Sequence, residues 1–165
     1  MTETETVLET FRHYLHQIDA LVARIAALPE ADTLLATKAM PQSFDTGRQL
    51  GVAIYFAARG VYKPAGIPLP PFPKDFSAPT LRALAAEIGA TLDGIKAADI
   101  RPEKVAHQAG FAELEQVPLD YMVRFALPNM MFHFAMGYAG LRAAGAPVGK
   151  AEFDGLHTYP DGFSF

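Results

Sequence analysis

Between Arg124 and Arg142 the chain carries no formal charge, yet the stretch Phe125-Ala-Leu-Pro-Asn-Met-Met-Phe-His-Phe-Ala-Met-Gly-Tyr-Ala-Gly-Leu141 holds Pro128, Asn129 and His133. A segment apolar on nearly every side must be buried on nearly every side. It falls short of the ~20 apolar residues that a membrane span needs, and Pro, Asn and His interrupt it, so it reads as a buried helix with no membrane role. Asn129 and His133, four residues apart, share one helical face. They are the first place to look for chemistry.

With 165 residues, half of them hydrophobic, the chain reads as a single domain over 1–165 with a real core. A net charge of −4 and no Lys/Arg run argue against a nucleic-acid partner, since phosphate binding needs clustered cations. The absence of cysteine removes disulfides, thiolate nucleophiles and Cys-ligated zinc, and fits a reducing compartment. The acidic, polar start at Met1-Thr-Glu-Thr-Glu-Thr is no secretory leader, so the expected localisation is cytoplasmic.

Four apolar stripes predict an all-α, up-down-up-down four-helix bundle with helices near 7–28, 44–62, 79–96 and 118–144. In the first, Val7, Phe11, Tyr14, Ile18, Leu21, Ile25 and Leu28 face the core, and His13 and His16 fall on the solvent side. Residues 30–42 form a connection. In the second helix Gly47 and Gly51 let a neighbour approach closely, and Ser43 or Asp45 is the cap. The prolines from 64 to 79 make an extended connector, docked on the body by Leu69, Phe72 and Phe76. A short β-hairpin over 103–116 falls between the third and fourth helices, with His107 partly exposed. Pro128 should kink or break the last helix near Ala126–Leu127. Beyond it, Phe153, Tyr159, Phe163 and Phe165 argue for a docked tail.

On a helical wheel Leu119, Met122, Ala126, Met130, His133, Gly137 and Gly140 share the interior face. The candidate ligand-binding pocket therefore comprises His133, Asn129, Met122, Met130 and Gln49. Two readings of His133 stand side by side. One is a buried imidazole satisfied by Asn129. The other is a ligand or general base in an interhelical pocket. The methionines are adaptable core filler or the lining of an accommodating site. No metal set is visible: helix two offers only Asp45, off the inner face, and Gln49, a poor ligand, and no two-His zinc motif occurs. No glycine-rich phosphate loop or nucleophile elbow appears, and no cofactor is implied.

Phe125-Ala-Leu-Pro-Asn-Met-Met-Phe-His-Phe, followed by Gly145-Ala-Pro-Val-Gly-Lys-Ala-Glu-Phe153, resembles the domain-of-unknown-function family 1993, whose consensus is close to F-A-L-P-N-x-x-F-H and then G-x-P-x-G-K-x-D-F. The match is specific over residues 121–155, with weaker similarity through Arg48-Gln49. The resemblance implies the fold of the DinB-like four-helix bundles, a superfamily of metalloenzymes that hold a divalent ion with one histidine on helix two and a pair on helix four. Here His133 stands for one of that pair, Asn129 occupies the position four earlier, and helix two has no histidine. The fold, the dimer and the pocket location carry over; the metal does not.

Three functions follow from these readings. The first is an uncharacterised protein binding a small molecule near His133. The second is a DinB-like metal-dependent enzyme of the thiol-conjugate transferase or isomerase type. The third is a purely structural dimeric module. A homodimer is expected because Val52, Tyr55 and Phe56 on helix two, and Phe132, Met136 and Tyr138 on helix four, form second apolar faces.

Overall fold

The computed structural model describes residues 1–160 and is mostly helical with one small two-stranded antiparallel sheet. The elements are α1 (Glu3–Ala26), α2 (Ala31–Ala36), α3 (Thr46–Ala65), α4 (Ala78–Gly94), β1 (Val105–Ala109), β2 (Ala112–Gln116), α5 (Pro118–Asp120), α6 (Leu127–Ala143) and α7 (Lys150–Asp154). Among the described residues no helix is long and apolar enough to cross a membrane.

Helix α1 starts a turn earlier than its apolar stripe. Thr2 accepts from the Glu5 amide while the Glu5 carboxylate accepts from Thr2 N–H at 2.6 Å, so a reciprocal cap makes the polar first turn helical. Leu8, Phe11, Leu15, Ile18, Val22 and Ile25 then enter one contiguous core with Leu50, Ile54, Leu81, Ile88, Tyr121, Met130 and Phe134. His16 is exposed, but His13 is not on an open surface. Its Nε2–H donates to the Asp154 carbonyl at 2.7 Å, because α7 folds back over that side of α1. The Phe153 ring of α7 stacks on Phe134, 4.4 Å between centroids. Phe163 and Phe165 lie outside the described residues.

Helix α3 packs most extensively on α6 and also touches α1 and α4. The Asp45 carboxylate, not Ser43, caps it by accepting from the Arg48 amide at 2.8 Å. It runs through Pro64, in its last turn where one lost hydrogen bond is tolerated, and stops at Gly66 with φ +70°. The proline connector lies along it. Phe76 fills the space left by two glycines: a Cβ on Gly51 would lie 2.6 Å from the Phe76 ring, and one on Gly47 would lie 2.7 Å from its carbonyl. Tyr55 O–H donates to the Pro70 carbonyl and its ring meets Phe72 edge-on at 5.0 Å.

Strands β1 and β2 pair from Val105↔Gln116 to Ala109↔Ala112, with Gly110 at φ +61° in the turn. His107 is only 5% exposed, which corrects the expectation of partial exposure. The alternation of β1 turns it inward onto Phe125 and Tyr121, at ring distances of 4.2 and 4.8 Å.

Pro128 does not break the last helix. Leu127 keeps helical angles (φ −63°, ψ −46°), and the chain is continuous from α5 through a π-helical turn, Tyr121–Ala126, into α6. Proline cannot donate to the preceding turn and its ring crowds the carbonyl there. The turn widens instead, so that Leu127 N–H reaches the Met122 carbonyl, five residues back.

Candidate functional site

The site forms between α3 and α6, the two helices in most extensive contact, and a glycine permits their close approach there. A Cβ on Gly137 would lie 2.8 Å from Leu50 Cδ2 and 3.5 Å from Gln49 Cβ. With that position bare, Gln49 on α3 reaches His133 on α6, one turn before Gly137. Gln49 Oε1 accepts from His133 Nδ1–H at 2.7 Å, and Gln49 is 4% exposed.

The imidazole lies in an aromatic stack. Phe44 is parallel to it at 6.5 Å and 12°, Phe56 at 5.9 Å and 14°, and Phe132 meets its edge at 5.1 Å. The Arg48 guanidinium lies over Phe44 at 4.2 Å and Arg59 lies over Phe56 at 4.9 Å, within cation–π range. Burial holds the His133 pKa below its ordinary 6.5, because a half-desolvated ring resists taking a charge.

His133 and Gln49 open onto a cavity of about 650 Å³, lined otherwise by Met40, Pro41, Gln42, Ser43, Phe44, Phe132 and Met136. The other three candidate residues lie elsewhere. Met122 and Met130 are completely enclosed in the core. Asn129 turns its amide back along the helix and donates to the Phe125 carbonyl at 2.7 Å, so Gln49, not Asn129, partners His133. Residues 40–44 were missed because an irregular connection shows no periodicity. Phe44 beside the capping Asp45 was the one signal available. Phe132 and Met136 were visible as outer-face apolar residues, with nothing to say that they border a cavity.

A three-histidine metal centre does not fit here. Nε2 of His133 could ligate, but the lining holds neither a second imidazole nor a carboxylate beside it. Among the described residues no group of three or more His, Asp or Glu side chains is placed to hold a metal ion. What the arrangement can do is narrower. An imidazole with Nδ1–H engaged presents Nε2 as a hydrogen-bond acceptor or a base, at the edge of an apolar cavity.

The surroundings of Val52, Tyr55, Phe56 and Tyr138 also differ from a free second face. Val52 is half-buried and Tyr55 lies under the proline connector. Phe56 is 7% exposed, and Tyr138 packs on Phe153. Phe132, 58% exposed, is the large apolar group of that set left open.

A similar fold is found in the crystal structure of a DinB family member protein from Shewanella denitrificans, with a TM-score of 0.75, 23% identity, and coverage of 93% of this chain and 92% of that one. Among curated proteins, none matches. The model of one family spans nearly the whole described chain, residues 4–154, and the chain belongs to that family, Domain of unknown function (DUF1993).

Proposed function

We propose that the chain is one domain, an up-down-up-down bundle of α1, α3, α4 and the α5–α6 helix, that binds a small molecule in the cavity beside His133. The packing of α3 on α1, α4 and α6 around a single contiguous core supports the arrangement. The observation that carries the binding reading is His133 itself. Its ring is fixed by Gln49 and by two parallel phenyl rings, while it borders a cavity otherwise lined by apolar and neutral polar groups. Pre-fixed polar groups in a largely apolar concavity are how small-molecule sites are usually built. The lack of cysteine supports a cytoplasmic setting.

Ligand-observed NMR with a library of small uncharged fragments tests the site. Hits on the native protein should disappear in Met136→Glu, which puts a charge on the cavity wall. Hits that survive this change, with the variant folded, would place binding elsewhere and defeat the reading.

A homodimer accompanies this proposal. Met40, Phe44 and Phe132 are 55%, 44% and 58% exposed around one opening, a cluster that a twofold partner would cover. Because Phe56 is buried, the informative charge belongs at Phe132. Light scattering should give twice the chain mass for the native protein and a shift toward monomer for Phe132→Glu; a native monomer at high concentration defeats the dimer.

A further inference from the structure

The bond between Gln49 and His133 decides which ring nitrogen carries the proton. An amide oxygen can only accept, so Nδ1 holds the hydrogen and a neutral imidazole is left with a lone pair on Nε2. Gln49 is 4% exposed with its amide oxygen toward the ring, and the ring lies near parallel to both Phe44 and Phe56, so the pair is packed in this arrangement. The site therefore asks a ligand for a donor. It offers no counter-charge: Met40, Pro41, Gln42, Ser43, Phe44, Phe132 and Met136 are all uncharged, while Arg48 and Arg59 lie over Phe44 and Phe56 and are not part of the lining. At Nε2 of His133 a carboxylate would have to bring its own proton to find a partner, whereas a neutral O–H donates directly. The exposed rings of Phe44 and Phe132 supply flat apolar surface beside the acceptor, and about 650 Å³ admits two fused rings.

We propose that the cavity takes an uncharged aromatic ligand of the phenol class, its O–H donated to His133 Nε2 and its rings lying among Phe44, Phe132 and Met136. This rests on the reading of the cavity as a small-molecule site, and adds the chemistry that the ligand must have.

Calorimetry with 2-naphthol, 2-methoxynaphthalene and 2-naphthoate tests it on the native protein and on His133→Phe. The methyl ether keeps the rings and loses the donor, and the acid replaces the donor with a charge. The native protein should bind 2-naphthol best, with 2-methoxynaphthalene weaker by about tenfold, the size of one unmade hydrogen bond at a half-buried acceptor. In His133→Phe, which keeps a flat ring in the stack, the naphthol and its ether should bind alike. Equal binding of the two by the native protein, or tightest binding of the naphthoate, overturns the donor requirement while leaving the cavity as a binding site. Binding of none of the three overturns both. If His133→Phe does not fold, a long-range ¹H–¹⁵N spectrum of the native protein decides: protonated Nδ1 is expected, and protonated Nε2 removes the basis of the inference.

Discussion

Gly137 of α6 and Leu50 of α3 pack so closely that a Cβ on the glycine would stand 2.8 Å from the leucine Cδ2. The contact that brings Gln49 to His133 therefore depends on a missing methyl group.

Gly137→Ala should lower stability by about 1 kcal/mol. The substitution gains ~1 kcal/mol in helix propensity and costs ~1–3 kcal/mol in overpacking, and the second term wins. Urea unfolding measures it. A more stable variant would show that Leu50 swings aside at no cost, and that the close approach has another cause.

His133 gives the stability a pH dependence of definite sign. Its pKa is lowered in the folded protein, so below 6.5 the unfolded chain takes up the proton first. Stability is complete above pH 6.5 and falls as the pH drops from there toward the lowered folded value. His133→Phe should flatten that part of the profile. An unchanged slope would mean that other groups, not this imidazole, carry the dependence.

Asn129→Ala should cost about 1 kcal/mol of stability, the worth of its bond to the Phe125 carbonyl, and leave binding at the cavity unchanged. Parallel melts and fragment titrations check both halves. Loss of binding with stability intact would return Asn129 to the site.

Phe153→Ala should release α7 while leaving the rest of the helices in place. The ring touches Phe134, Tyr14 and Tyr138, and its loss removes the stacking that seats the helix. Hydrogen exchange should speed up over Lys150–Asp154 and little elsewhere. Uniformly faster exchange would make α7 part of the global cooperative unit.

The dominance of helix was legible because apolar residues recur at helical spacing in long runs such as Phe11 to Ile25, where burial follows from the pattern alone. The first turn of α1 was not, since Glu3 and Glu5 are helical through a cap, not through an apolar face. For Pro128 the rule gave the steric demand but not the remedy, which depends on how the preceding turn is packed by Tyr121 and Met122. The burial of His107 was hidden for a different reason. Alternation says which residues share a face of a strand, but only Phe125 and Tyr121, distant from β1 in sequence, say which face is covered. At the cavity, His133 and Gln49 stood out as polar groups beside glycine-rich contacts. Their pairing depends on the separation of two helices, and the wall from Met40 to Phe44 belongs to a connection with no period to read.

The π-helical turn also bears on how this chain is to be aligned with its relatives. A widened turn holds one residue more than a regular one, and so absorbs an insertion locally without rotating everything that follows. A relative whose last helix is α-helical throughout would be one residue shorter between Pro118 and Leu127. Residues before Tyr121 would then slip by one position when counted from His133, although they occupy the same place in space. Equivalences across this helix should be drawn from the turn each side chain sits on, with the gap placed at Tyr121–Ala126.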